Sequence, residues 1–271
     1  MSLFVDADPS APSASSASAL GGRRRADVAR DIADVLRQQI LLGRYTRRTL
    51  PPEGILAAEF GASRNSVREA LDLLRGEGIV ERTPGLGTTI SCRKFPHGLD
   101  LLLGLGETLD GLGPVTNHVR SAEWVTAPPA IARELRLDSN ARSVRLERLR
   151  SVDGRVLSLD LTYLVPDIGE AVLTEDLAAN DVFVLIERIT GHRLGTAQIA
   201  IEAVNADPHS ASLLGVSEGA ALLMMERLTH LDDGRPVDLE YIRFRGDRMR
   251  MSGQLLRPAS EATTTYQGSV G

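Results

Sequence analysis

The sequence predicts an α+β fold: an N-terminal winged helix-turn-helix followed by an antiparallel sheet with helices on one side. Three observations predict it. Two short amphipathic segments flank a tight Gly61-Ala62-Ser63 turn, and a Pro/Gly hairpin follows at 84–87. Further on, residues 132–164 and 212–244 repeat one helix-strand-turn-strand pattern.

The first helix is expected over Ala26 to Leu42, where Val28, Ile32, Val35, Leu36 and Ile40 fall at helical spacing and Gly43 is a natural stop. Leu50-Pro51-Pro52-Glu53 opens a second helix, with proline tolerated in the first turn and Glu53 near the positive end. Leu56, Ala57 and Phe60 form its apolar side. Ser63 is the expected N-cap of a third helix through about Arg75, whose core stripe is Val67, Ala70, Leu71 and Leu74. Ile79 to Ile90 alternates as strand, Pro84-Gly85-Leu86-Gly87 turn and strand, which is a wing. In such a motif the second helix of the pair presents its first turns to the major groove. Arg64, Asn65, Ser66 and Arg68 occupy those turns here. Arginine pairs bidentately with guanine or holds phosphates, and asparagine reads adenine.

Composition sets the boundaries of this reading. Hydrophobic residues make up 42% of the chain, enough for buried cores, and the most apolar stretch, Leu99 to Leu105, is far short of a membrane span of about 20 residues. Residues 1–22 are Ser/Ala/Pro-rich without the basic start and apolar core of a signal peptide, and are expected to form a disordered tail. Cys92 is the only cysteine, so no intramolecular disulfide or cysteine metal cluster is expected, and the five histidines do not stand at ligand spacing. No cofactor, metal or membrane partner is expected, and the location expected is the cytoplasm. The net charge of -5 is unevenly spread: Gly21 to Phe95 holds 14 basic and 9 acidic residues, Pro96 to the end 17 and 25. An anionic partner is therefore expected for the first segment.

Beyond a linker at 93–115, the repeat sets Glu147-Arg148 against Glu226-Arg227, 79 residues apart, and Asp153-Gly154 against Asp233-Gly234 as hairpin turns. Two copies are too few for a solenoid.

Residues 25–91 resemble the DNA-binding domain of the GntR family of transcription regulators. The resemblance rests on Leu50-Pro51-Pro52-Glu53, Leu56 to Gly61, Ser63 to Leu71, Glu77 to Val80 and Pro84 to Thr88. It implies that Arg64 and Arg68 contact operator DNA and that the Gly87 tip enters the minor groove, with Ser63 and Thr88 beside them. Relatives usually carry arginine where this chain has Gly54; either the operator differs, or Arg47 or Arg48 compensates. Residues 116–256 resemble the UTRA effector domain of the HutC subfamily, through Arg148-Leu149-Arg150, Tyr163 to Pro166, Asp181-Val182-Phe183, Ile201 to Val204 and Arg245 to Met249. That fold is shared with a chorismate lyase. The resemblance implies a homodimer joined through the C-terminal sheet and a pocket formed by Arg148, Arg150, Asp160, Asp181, Phe183, Asp238 and Phe244. Asp181 would repel a phosphate by on the order of 4 kcal/mol at about 4 Å, which suits a hydroxylated or amine-bearing ligand. The same charges also read as strand-surface pairs.

The expected organisation is a tail at 1–22, a winged helix-turn-helix at 23–92, the linker at 93–115, an effector-binding and dimerisation domain at 116–257 and a second tail at 258–271. The expected function is a repressor released from a palindromic double-stranded DNA operator by a small-molecule effector. The alternatives are an enzyme with a lyase-like C-terminal domain and an architectural DNA binder without a ligand. No nucleophile elbow or phosphate loop supports the enzyme.

Overall fold

The computed structural model describes residues 14–256 except 46, 47, 92, 93, 110 and 112, with side chains from Arg25 onward. Cys92, Arg47 and the 258–271 tail therefore lie outside the described residues. The first helix, α1 (Ala14–Leu41), begins twelve residues before the expected start and takes in the end of the expected 1–22 tail. It packs on α2 (Glu53–Glu59) and α3 (Arg64–Gly76) around Ile32, Leu36, Ile40, Leu56, Val67 and Leu74. Its buried face is Ala29, Ile32, Ala33, Leu36 and Ile40; Val28 and Val35, expected in the core, are 41% and 43% exposed. The two alanines bring α1 close to its neighbours, so the buried stripe turns toward them. Ser63 caps α3, accepting from the Ser66 N–H at 3.1 Å, a contribution of about 1 kcal/mol.

Strands β1 (Val80–Thr83) and β2 (Gly87–Ile90) form the wing, closed by Thr83 opposite Gly87. Gly85 and Gly87 adopt φ of +79° and +88°, a region that favours glycine. The wing base is tied to the chain before α2: Leu50 N–H donates to the Thr88 carbonyl at 2.9 Å and Ile90 N–H to that of Arg48 at 2.8 Å.

The linker carries structure of its own, β3 (Phe95–Gly98) and α4 (Leu105–Thr108). Then come β4 (Val115–Thr126), α5 (Pro129–Glu134), β5 (Arg142–Val152), β6 (Arg155–Leu164), α6 (Pro166–Val172) and α7 (Val182–Thr190). The chain continues as β7 (Leu194–Asn205), α8 (Pro208–Leu214), β8 (Ala221–Leu231), β9 (Pro236–Arg245) and β10 (Met249–Ser252), which pairs in parallel with β3. The main sheet is antiparallel in the order β4-β5-β6-β9-β8-β7, so the duplication is visible as two three-stranded halves meeting at β6 and β9. The repeat reaches further than the sequence reading drew it. Strands β4 and β7, both at sheet edges, begin 79 residues apart, as do α5 and α8. Ala127 N–H donates to Ala141 and Ala206 N–H to Ala220, both at 2.9 Å.

One core lies between the sheet and α6 and α7, built from Val144, Leu146, Leu164, Ile168, Leu185 and Ile186. A second lies under the linker, where Leu105 and Leu109 pack on Leu157, Met225, Ile242 and Phe244. The linker is thus anchored to the sheet by apolar burial.

Candidate DNA-binding surface and effector pocket

The start of α3 presents Arg64, Asn65 and Arg68 to solvent. Arg68 forms an ion pair with Glu53 of α2 at 3.0 Å, with side chains 59% and 38% exposed, so water and salt leave it available to another anion. Arg64 folds over α2: its Nη2 lies 3.4 Å from where a Cβ on Gly54 would stand. A side chain at 54 would compete with Arg64 for that surface. Ser66 does not face outward. It is 4% exposed, and its hydroxyl meets that of Ser63 at 2.9 Å, which makes both part of the helix cap. The wing tip is Pro84-Gly85-Leu86, with Leu86 66% exposed; Gly87 and Thr88 follow it on β2. Arg48, through its carbonyl, sits at the wing base.

The second site is a row of buried charges on one face of the sheet. Cross-strand partners share a face, and the register sets Arg148 opposite Asp160, Thr162 opposite Glu240, Arg227 opposite Glu240, and Thr229 opposite Asp238. Arg150 Nε lies 2.6 Å from Asp160 Oδ2 and its Nη1 3.3 Å from Asp181 Oδ2. Asp181 caps α7, accepting from Phe183 N–H at 3.0 Å, and accepts from the linker through Gly106 N–H at 3.1 Å. Burial pushes the Asp181 carboxyl up, but Arg150, Arg148 and these two N–H groups hold it below the usual carboxylate range. Arg227 donates to Glu240 through Nε at 2.9 Å and through Nη2, and to the Leu103 carbonyl through Nη1 at 3.2 Å; its guanidinium stacks on the Phe183 ring at 4.3 Å. Two groups stand apart. Arg148 is fully buried, and among the described residues no group accepts from Nε, Nη1 or Nη2; burial and the neighbouring Arg150 lower its pKa to about 10. Asp238 is fully buried, and among the described residues neither oxygen has a partner in good hydrogen-bond geometry; burial, with Glu240 beside it, raises its pKa well above the usual range against the opposing pull of Arg227, Arg148 and the Thr229 hydroxyl opposite it.

A cleft of about 430 Å³ meets this row at Asp181 and is otherwise lined by Gly106, Asn117 and Val184 among others; Arg148 and Asp238 are buried and not part of its wall. The linker closes the other side. A Cβ on Gly104 would fall 2.5 Å from Asp181 Oδ1, so only glycine lets the backbone approach this carboxylate. His97 on β3 is 4% exposed, its ring 6.5 Å from that of Phe244, and burial and Arg227 lower its pKa to about 4.

Comparison with known proteins decides the family. Residues 28–90 match the bacterial regulatory proteins of the gntR family, and residues 113–250 match the UTRA domain. The chain belongs to the GntR family of bacterial regulators with a UTRA domain. It is similar to the HTH-type transcriptional regulator Rv0792c of Mycobacterium tuberculosis, at 30% identity over 83% of this chain and 85% of that one. It is also similar to the HTH-type transcriptional repressor NagR of Bacillus subtilis, at 26% over 73% and 82%. In fold it resembles the crystal structure of PhnF from Mycobacterium smegmatis, with a TM-score of 0.59, 24% identity and coverage of 83% and 99% of the two chains.

This GntR regulator is a DNA-binding transcriptional regulator and not an enzyme. Among the described residues, no helix is long and apolar enough to cross a membrane, and no group of His, Cys, Asp and Glu is placed to hold a metal. Five of the expected pocket residues, Arg148, Arg150, Asp160, Asp181 and Asp238, come together on or beside the one sheet face. Phe183 lines it through Arg227. Phe244 stands opposite Ser158 at the end of that face, fully buried under the linker with Leu105 and Leu109. The sequence reading missed Arg227, Glu240 and His97. Arg227 had a signal, since it stands in the repeat where Arg148 stands; His97 had none.

Proposed function

We propose that this regulator is a repressor that leaves its operator when a small molecule enters the cleft at Asp181 and reaches the buried Arg148 and Asp238 behind the linker. The observation that carries the reading is the bonding of the linker backbone to the pocket's charged groups, Leu103 through Arg227 and Gly106 through Asp181. A ligand that competes for either group lifts the segment joining the wing to the sheet. Hydrogen bonds to charged groups contribute about 1.5–3 kcal/mol each, so a micromolar ligand, at about -8 kcal/mol, has enough binding energy to displace both. NagR and MngR are named repressors, which supports the same sign here.

Arg64, Asn65 and Arg68 read base edges, and Ser63, Gly87 and Thr88 approach the backbone. Ser66 acts through the cap. One winged helix offers few base contacts, and specific affinity calls for two half-sites, hence a homodimer on a palindrome. Edge strand β7, with Ile199 and Ile201 exposed, is an open ladder suited to a second copy. A regulator of this kind works in the cytoplasm, where the chromosome is.

The test is a selection of random duplexes on the purified protein, repeated with pooled metabolites. An enriched palindrome released by one pool is the expected result. Enrichment that no pool reverses would overturn ligand-controlled release.

A further inference from the structure

The duplicated sheet lets each buried charge be compared with its counterpart. Strands β5 and β8 correspond at an offset of 79 residues, Arg148 with Arg227 and Arg150 with Thr229, and both ladders shift register directly after the second of these. Strands β6 and β9 correspond at an offset of 80, Asp160 with Glu240 and Ser158 with Asp238. In the second half, Arg227 faces Glu240 and closes an ion pair with it. In the first half, Arg148 faces Asp160 in the same way, yet Asp160 turns to Arg150. Arg150 stands where the second half has a threonine. It captures the carboxylate, and Arg148 is left without a protein acceptor.

The reciprocal departure lies across the seam. Ser158 donates to Asp160 at 2.6 Å. Its counterpart Asp238 brings a carboxylate beside Glu240, and no protein group donates to it in good hydrogen-bond geometry. The other charges of the face are matched: Arg150 with Asp160 and Asp181, Arg227 with Glu240. The two that remain open are the Arg148 guanidinium and the Asp238 carboxyl, whose neutral form burial and Glu240 favour until a cation stands beside it. A buried polar group without a partner is destabilising, and both cases trace to positions where the halves of the duplication differ: Arg150 in place of a threonine takes the acceptor of Arg148, and Asp238 itself stands in place of a serine.

We infer that the pocket takes a small zwitterion, with a carboxylate on Arg148 and a protonated amine on Asp238. Asp181 shows what it refuses. That resident carboxylate already occupies Arg150, the Gly106 N–H and the start of α7, so a second anion such as a phosphate monoester meets like charge there. The inference rests on reading this pocket as the effector site.

The test is calorimetric titration of the full chain with the protein amino acids and the linear ω-amino acids from β-alanine to aminohexanoate. Glucose 6-phosphate is the monoester probe, and each hit is followed by its deaminated acid and its decarboxylated amine. At least one amino acid should bind, with either half-molecule weaker by roughly 100-fold. Arg148→Gln and Asp238→Asn should each weaken the hit by a similar factor, and Arg148→Lys should restore part of the loss. A monoester that outbinds every amino acid, silence from all amino acids, or a hit indifferent to both variants overturns the inference. Operator release separates the two readings. If the monoester binds and strips the protein from DNA, the repressor stands and the zwitterion falls. If an amino acid binds through Arg148 and Asp238 but leaves operator occupancy unchanged, the zwitterion stands and ligand-controlled repression falls.

Discussion

Replacing Arg148 by methionine should make the ligand-free protein more stable while removing its response to effector. Arg148 is fully buried, and burial with the neighbouring Arg150 lowers its pKa to about 10. A tenfold change in a proton equilibrium is worth about 1.4 kcal/mol, so holding the guanidinium charged inside the sheet costs on the order of 3 kcal/mol. That figure already includes the attraction of Asp160, Asp181 and Glu240. Because the folded pKa lies below the unfolded one, the cost is fully present below about pH 10 and fades only as pH rises beyond it toward the unfolded value. Methionine keeps much of the length and the apolar stem without the charge. Buried ion pairs replaced by apolar side chains have gained about 1–4 kcal/mol. For a domain of this size, each kcal/mol moves Tm by roughly 2–4 °C, so calorimetry should show a rise of about 6–12 °C, equal at pH 6 and pH 8. A fall in Tm would mean that Arg148 is paired within the fold, and the argument for an open cation would fail.

Three further predictions follow from the linker and the DNA surface. Gly104→Ala places a Cβ 2.5 Å from Asp181 Oδ1, and that carboxylate is held by Arg150 and Phe183; the linker must lift, and gel-shift titration should show operator affinity reduced without any ligand. Unchanged affinity would separate linker seating from DNA binding. Arg68→Ala should weaken operator binding by about 1–3 kcal/mol with an unaltered circular dichroism spectrum and sedimentation profile, and equal affinity would remove α3 from the interface. His97 is neutral in the fold, with a pKa of about 4 against 6.5 unfolded, so its stabilisation is complete above pH 6.5 and lost as pH falls toward 4. Between pH 7 and pH 5 the loss is about 2 kcal/mol, and urea titrations should show a shallower acid slope by that amount in His97→Phe; identical slopes would mean that the ring is hydrated.

The winged helix was legible because its determinants are local. Ser63, the Pro/Gly turn and the stripe Val67, Ala70, Leu71 and Leu74 each act within a few residues. The misses have physical causes. Ala29 and Ala33 contribute little to a hydrophobic pattern but decide how closely α1 packs, so the pattern chose Val28 and Val35. Strands β4 and β7 are sheet edges: β4 keeps nearly every second residue in water and carries Asn117, His118 and Arg120, and β7 is exposed along most of its length; neither reads as a core strand. Ser66 looked like a base reader from its position, but a hydroxyl that turns toward the cap leaves no mark in sequence. The charged residues of the pocket were legible as a set through the repeat. Their pairing was not, because it depends on which of two arginines reaches Asp160. The linker's part was hidden for a simpler reason: the Leu103 carbonyl and Gly106 N–H are backbone groups, and every residue has them.

The duplication explains why a stable sheet can hold a destabilising site. A symmetric pair of halves would close Arg148 on Asp160 as Arg227 closes on Glu240, and the face would carry two satisfied ion pairs with nothing for a ligand to complete. Two positions break that outcome, Arg150 where the other half has Thr229, and Asp238 where it has Ser158. The apolar residues under α6 and α7 continue this face on one side, with Phe183 under Arg227, and their burial offsets the cost of the unpaired groups. Sites that bind often carry such local instability, offset elsewhere in the fold. Here the linker supplies part of the offset through Arg227 and Asp181. The energy that a ligand recovers at Arg148 and Asp238 is then the energy available to loosen the linker, which places recognition and release in one network of charges.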